Sequence, residues 1–400
     1  MSPMNERLHQ LESYHVAVIG GGPVGLAAAI ALASSGARVV LIARRIPYAD
    51  NRTTALLGAS VDFLDGTGVW ARCADQAAAL QVMRLIDDTG RLIRAPEVKF
   101  VSDEIGRDAF GYNIENRLLL TALEQRAGEC ASLIRIDDDA VRVTPDDANV
   151  VIETKDGRTI RAQLVVGADG RNSLCRDAAG IAVERRELRQ TALTFNVAHT
   201  RPHRNTSTEF HTPHGPCVFV PLPGQRSSVV WVSRPDEAAQ LHALDDAALG
   251  QAAERQSHSI LGATTVEGPR FVFPLSIEKP SQLAEKRIVL AGEAAHVLPP
   301  IGAQGLNMGL RDAADVAEIV SECLALGGDP GSTHVLESYA RSRKPDIVSR
   351  TFAIDLANRS LLSEFLPLQP ARALGLHLIG SIGPLRRLAM REGLAPSWRR

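Results

Sequence analysis

Val16-Ala17-Val18-Ile19-Gly20-Gly21-Gly22-Pro23-Val24-Gly25-Leu26-Ala27-Ala28-Ala29-Ile30-Ala31-Leu32 decides how this chain is read. Val16 to Ile19 is a short, β-branched apolar run of the kind that forms a parallel strand buried on both faces. Three glycines break it. A helix of small residues follows, ends near Gly36, and gives way to a second strand, Val39-Val40-Leu41-Ile42. Strand, helix and strand with parallel pairing predict a right-handed βαβ crossover. The apolar run from Val16 to Ala33 is long enough for a membrane span, but glycines at 20, 21, 22 and 25, with Pro23, argue against one.

Gly20-Gly21-Gly22-Pro23-Val24-Gly25 is a GxGxxG between strand and helix. Gly20 permits the tight turn, Gly22 lets the backbone approach a pyrophosphate, and Gly25 lets helix and strand pack closely. The helix N-terminus adds N–H donors and partial positive charge. The pattern is weak in isolation; in this context it predicts dinucleotide binding. The acid that usually ends the second strand and accepts from the ribose hydroxyls is missing, for that place reads Ile42-Ala43-Arg44-Arg45. Arg44 can answer a 2′-phosphate, cover the adenosine phosphate region, or face solvent.

The rest of the chain must house this unit. Four hundred residues predict two lobes that share discontinuous segments. A formal charge of −2 gives no electrostatic case for nucleic acid. The five cysteines, Cys73, Cys130, Cys175, Cys217 and Cys323, form no CxxC pair. Their odd number and scatter suit neither a disulfide framework nor a metal site, and predict buried free thiols in a reducing compartment. The first fifteen residues carry charges of both signs and no apolar core before a cleavage site, so a cytoplasmic location is expected.

From about Ala182 to Pro274, alternating segments such as Thr191 to Val197 and Ser228 to Val232 are punctuated by Pro and Gly. That pattern predicts an antiparallel sheet. Arg287 to Ala291 restarts the strand–helix alternation, with a helix through Val316, and Tyr339 to about Met390 is largely helical in pattern.

Two further strand ends carry chemistry. Leu164-Val165-Val166-Gly167-Ala168-Asp169-Gly170-Arg171-Asn172-Ser173 is an apolar strand running into a polar helix start, where Asn172 or Ser173 would serve as N-cap. Val289-Leu290-Ala291-Gly292-Glu293 ends a strand at an acid, and Pro299-Pro300-Ile301-Gly302-Ala303-Gln304-Gly305 then opens a helix. An acid there can accept hydrogen bonds from a polyol, and a helix starting near Gly305 aims its N–H groups at developing negative charge.

With these three sites in order, the chain resembles the class A flavoprotein monooxygenases, the para-hydroxybenzoate hydroxylase-like family, over residues 16 to about 317. More narrowly it resembles the UbiH/UbiF-type ubiquinone-biosynthesis hydroxylases. That likeness is carried by Asn51 to Gly58, Tyr112 to Arg117, His214-Gly215-Pro216, the run Gly305-Leu306-Asn307-Met308-Gly309-Leu310-Arg311-Asp312, and, less specifically, Asn358 to Leu362 through Met390 to Gly393.

The resemblance implies an α/β fold: a Rossmann-like FAD-binding domain (1–80, 107–180 and 284–340), an antiparallel β-sheet substrate domain (81–106 and 181–283) and a C-terminal helical region (341–400). It implies FAD as cofactor and NAD(P)H as a transient co-substrate, since no second GxGxxG marks a nicotinamide domain. Gly20, Gly22 and Gly25 would hold the FAD pyrophosphate, with Asp169 closing that site. Arg52 and Asn116 would reach the phosphate or ribityl region, and Arg44 stays a candidate at the adenosine end. Glu293 would contact the ribityl chain, and the backbone Gly302, Gly305, Leu306 and Asn307 would face the flavin pyrimidine edge. Pro300 would lie beside the ring. Two departures stand out: Ala43 replaces the ribose-binding acid, and Glu293 replaces the family's aspartate.

The activity implied is hydroxylation of a prenylated phenol or quinol with O2, through a hydroperoxide of the reduced flavin. Alternatives are a hydroxylase of a small soluble phenol on the same fold, or a flavin-binding scaffold of a biosynthetic complex. His211, His214 and His296 are the nearest ionisable groups, and none is assigned as a base: a hydrogen-bonded structural role suits His296, a solvent-facing one His211 and His214. The uncharged stretch Ala373 to Leu385, followed by Arg386 and Arg387, is too short to span a bilayer. It either packs on the protein or touches a biosynthetic partner or the inner membrane face. No motif bears on the oligomeric state.

Overall fold

A computed structural model describes residues 13–45, 52–90, 95–362 and 381–394. The strand Ser13–Ile19 lies between Val39–Ile42 and Thr159–Gly167, parallel to both, with Val16 in register with Val39 and Leu164. Ile288–Leu290 and Leu133–Ile136 extend the parallel core at either side. Antiparallel additions, Ala284–Glu285 and the pair Ala140–Pro145 and Val150–Thr154, complete an eight-stranded sheet. The helix Pro23–Ser34 has Pro at its start and is buried from Gly25 to Ala33. It is apolar all round because it is enclosed by the sheet on one side and by the helices Asn116–Gly128 and Gln304–Ala325 on the others.

A second sheet has seven strands, in the order Thr264–Pro280, Val183–His199, Arg226–Ser233, Gly215–Leu222, Thr206–Thr212, Val82–Asp87, Val98–Val101. Leu193 pairs with Trp231 and Phe195 with Val229, as antiparallel neighbours. The expectation of an all-antiparallel sheet needs one correction: Thr206–Thr212 runs parallel to Val82–Asp87. Parallel neighbours require a long crossover, and here the chain passes through the first sheet between them. Phe210, Phe219, Val229 and Leu249 build a separate core under the helix Asp246–Gln256. A three-stranded sheet of Thr53–Leu57, Gly111–Glu115 and Ala78–Leu80 stands apart from these two.

The C-terminal part is helical over Thr333–Leu362 and Gly383–Leu394. Ala373 to Gly380, the larger part of the uncharged stretch, lies outside the described residues, as does Asn51. Among the described residues no helix is long and apolar enough to cross a membrane, and no cluster of side chains could hold a metal ion. All five cysteines are free, but Cys130 and Cys323 are only half-buried, in contrast to the buried thiols expected. Burial pushes the Cys73 thiol up to about 11.

Candidate flavin site and adjoining cavity

The glycines at the end of the first strand meet three different constraints. Gly20 has φ +117°, and a Cβ there would lie 2.2 Å from the Ala168 carbonyl oxygen. A Cβ on Gly25 would lie 2.0 Å from the Gly20 carbonyl oxygen, so the helix can pack against the strand end only because Gly25 is bare. Gly22 has nothing within 4 Å of its Cβ position. It is also the N-cap, and no side chain caps the helix. The first-turn N–H groups therefore face open space above Gly22, a cradle that suits a phosphate.

At the end of the second strand Ala43 is buried, and the Arg44 guanidinium makes an exposed ion pair with Asp139 at 2.8 Å. The Arg45 N–H donates to Asp137. Asp137 and Asp139 follow the neighbouring strand Leu133–Ile136 and bring acid to a sheet edge whose own strand lacks it. The run Asp137-Asp138-Asp139, directly after the neighbouring strand Leu133–Ile136, is a signal for this acid that the βαβ motif itself does not contain.

Asp169 orders its own loop. Ser173 Oγ donates to it at 2.6 Å and the Cys175 N–H at 3.0 Å. Ser173, not Asn172, is the N-cap, accepting from the Arg176 N–H. Buried Arg176 then donates to the carbonyls of Arg171 and Ala294, tying the Asp169 loop to the Glu293 loop.

Glu293 projects from a single 3-10 turn, Gly292–Ala294, and is exposed. The Gly292 N–H and His296 Nε2 both bond Asp312 Oδ2, at 3.0 and 2.8 Å. His296 is thus buried and hydrogen-bonded, the structural setting that suited it over a catalytic one. The chain enters the helix Gln304–Ala325 through Ala303 in the left-handed region (φ 54°), again without a side-chain cap. Asn307 is fully buried. It accepts from the Leu57 N–H at 2.8 Å and donates to the carbonyls of Ala55 and Ala303 at 2.8 and 2.6 Å. It acts as a clamp behind the loop.

A cavity of about 640 Å³ lies between this loop and the seven-stranded sheet. Of the sequence-predicted site residues, Arg52, Asn116, Glu293, Pro300, Gly302, Gly305 and Leu306 line it. Gly20, Gly22, Gly25, Arg44, Asp169 and Asn307 do not. Arg52 lies over the rings of Phe271 and Phe273, at 5.9 and 5.2 Å from their centroids. The sheet contributes a largely apolar wall, including Val218, Val220, Val230, Leu85 and Met83. One carboxylate interrupts it, Glu209, which sequence reading did not single out; its Oε1 is 2.9 Å from His211 Nε2. His211 is buried and not solvent-facing. His214 is part-exposed and pairs with Glu237 at 2.9 Å, away from the cavity lining.

A family model described as an FAD binding domain matches residues 13–351. Ubiquinone hydroxylase UbiL of Rhodospirillum rubrum is 35% identical over 386 residues, covering 95% of this chain and 89% of that protein. The 3-demethoxyubiquinol 3-hydroxylase of Escherichia coli is 31% identical over 387 residues, covering 95% and 98%. Among solved structures, p-nitrophenol 4-monooxygenase PnpA from Pseudomonas putida shares the fold, with a TM-score of 0.79 at 21% identity, covering 96% of this chain and 99% of that one.

Proposed function

Because the chain belongs to the FAD binding domain family, we propose that it is an FAD-dependent monooxygenase that hydroxylates the aromatic ring of a prenylated phenol or quinol in ubiquinone biosynthesis. NAD(P)H and O2 are its co-substrates, and the balance is ArH + O2 + NAD(P)H + H⁺ giving ArOH + NAD(P)⁺ + H2O. The observation that carries the reading is an apolar cavity opening directly onto the uncapped N-terminus of Gln304–Ala325. The names of the relatives, both ubiquinone-type hydroxylases, supply the substrate class.

The residues present fit the cofactor. FAD, when bound, accepts reducing equivalents from NAD(P)H and in its reduced form activates oxygen. Gly20, Gly22 and Gly25 would hold the pyrophosphate against the helix N-terminus, within a flavin unit of residues 1–80, 107–180 and 284–340. Asp169 would shape the same site through Ser173, with Arg44 at the adenosine end. Arg52 and Asn116 would reach the phosphate or ribityl region, and Glu293 the ribityl hydroxyls. Backbone N–H groups from Gly302 to Asn307, at the positive end of their helix, would favour negative charge on the pyrimidine edge. Pro300 would shape the space beside the ring. Leu85, Val218, Val220 and Val230, from the sheet of residues 81–106 and 181–283, keep water from the reacting centre.

Met390, from the helix Gly383–Leu394, also lines the cavity, while Leu385 and Leu388 of that helix are exposed. With Arg387 and Arg391 on the same element, this supports a cytoplasmic protein touching the inner membrane face, where a prenylated substrate resides. The test is product analysis. Holoenzyme with NAD(P)H is given a detergent-solubilised prenylphenol or a simple hydroxybenzoate, and oxygen incorporation is read by mass spectrometry. Product from the prenylphenol is expected; oxygen gained only by the hydroxybenzoate overturns the ubiquinone assignment.

A further inference from the structure

The strand Thr206–Thr212 presents Ser207 and Glu209 to the cavity, and strand alternation puts His211 on that side too. Glu209 is in register with Val218 on one neighbouring strand and Leu85 on the other, both cavity-lining. Among the described residues, the other charged side chains of the lining are Arg52, Arg171 and Glu293, all from outside this sheet. The Glu209 and His211 side chains are only 18% and 11% exposed. Oε1 of Glu209 is taken by His211, and no described residue donates to Oε2. A carboxylate set in an apolar wall is unfavourable for packing alone, and such a placement marks a group with a task.

We propose that Glu209 is the hydrogen-bond acceptor for the ring hydroxyl of the substrate, with His211 as its positioning residue. This rests on the hydroxylase reading above. A phenol becomes a better nucleophile as its oxygen gains negative character. The phenolic proton moves toward Glu209 Oε2 as the ring carbon forms its bond to one atom of O2; the O–O bond breaks, and the second atom leaves as water, taking up the proton that the ring carbon later releases. That carbon then loses its own hydrogen as a proton, aromaticity returns, and the phenolate takes a proton back from Glu209. The carboxylate ends as it began, and the electrons come from NAD(P)H. The site therefore selects a substrate with a free ring hydroxyl and an apolar remainder.

The test uses FAD-loaded full-length protein and two probes: a 2-prenylphenol in detergent, and its polyfluorinated analogue with one ring C–H left free, assayed at a pH above the analogue's phenol pKa and below the parent's. Glu209→Gln is expected to keep its FAD absorbance while losing about a hundredfold or more in product from the un-ionised phenol, the scale of a positioned base. The variant-to-wild-type ratio recovers with the ionised analogue. His211→Asn shows the same selective rescue from a smaller loss. Equal losses on both phenols, or no loss, overturn the proposal and leave a structural ion pair. If the wild type hydroxylates neither phenol, the hydroxylase reading fails on its own. Phenol binding, read as a perturbation of the flavin spectrum, then decides: weaker binding of only the un-ionised phenol to Glu209→Gln supports the acceptor role, and unchanged binding overturns it.

Discussion

Gly22 and Gly25 lie three positions apart yet answer to different partners, so their substitution should separate cofactor binding from folding. A Cβ at Gly22 meets open space. Gly22→Val is expected to leave the thermal midpoint of the apoprotein nearly unchanged and to lower FAD content, read from the ratio of 450 nm to 280 nm absorbance, about tenfold. Gly25→Val drives side-chain atoms into the Gly20 carbonyl and should lower the midpoint as well. Asn307→Ala removes three hydrogen bonds, two to the strand Thr53–Leu57 and one to the Ala303 carbonyl of the loop itself. We expect a loss of about 1–3 kcal/mol, measured by denaturant unfolding of the apoprotein. At this scale the sequence was legible where a motif marks a backbone conformation, as at Gly20, and left two choices, Asn172 and Ser173, for the N-cap that Ser173 fills. It was not legible where a role depends on assembly: Glu209 gains its setting only when Leu85, from a distant segment, is placed beside it.

Between elements, the loop after Ile288–Leu290 is fastened to the long helix Thr333–Leu362 by buried charge. Asp312 bonds His296 and the Gly292 N–H on the loop side, and Arg343 Nε at 2.6 Å on the helix side. Arg343 also meets Asp346, which pairs with Arg311. Burial alone would raise the Asp312 carboxyl, but Arg343 and His296 outweigh it and hold it well below the usual carboxylate range. Asp346 is lowered in the same way by Arg311 and Arg343. Carboxyls depressed in the folded state contribute stability that is complete above their unfolded value and is lost as pH falls below about 4. Midpoints measured from pH 7 downward should therefore fall steeply in that window. Arg343→Met leaves Asp312 and Asp346 under-compensated and is expected to cost about 3–5 kcal/mol at neutral pH, with a flatter fall toward acid. Hydrophobic period and turn chemistry made the strands Ser13–Ile19, Val39–Ile42 and Ile288–Leu290 and the helix Pro23–Ser34 readable here. The parallel pairing of Thr206–Thr212 with Val82–Asp87 was not, because an alternating strand carries no mark of its partner's direction.

At the scale of the molecule, the cavity is walled by residues of several sheets and loops, so a ligand that fills it should stabilise the whole. FAD at a hundredfold its dissociation constant contributes about 2.7 kcal/mol. Stripping it should lower the thermal midpoint, and added FAD should restore it in proportion to the logarithm of its concentration. Filling the apolar wall with Val230→Trp is expected to depress turnover of a prenylphenol more than that of an unsubstituted phenol, read as the ratio of their kcat/KM values. The Gly-rich turns that frame the cradle could be read in advance, but the shape of the cavity could not. Its lining is drawn from residues as far apart as Arg52 and Met390. That span has a consequence for biosynthesis. A ribosome delivers the chain from its N-terminus, so the parallel sheet and its glycine turn are available long before residue 390 emerges. The glycine cradle is therefore synthesised well before Met390, the last residue of the cavity lining to be made. Ribosome-stalled chains ending before residue 383 lack that part of the wall and should leak NAD(P)H electrons to oxygen as peroxide.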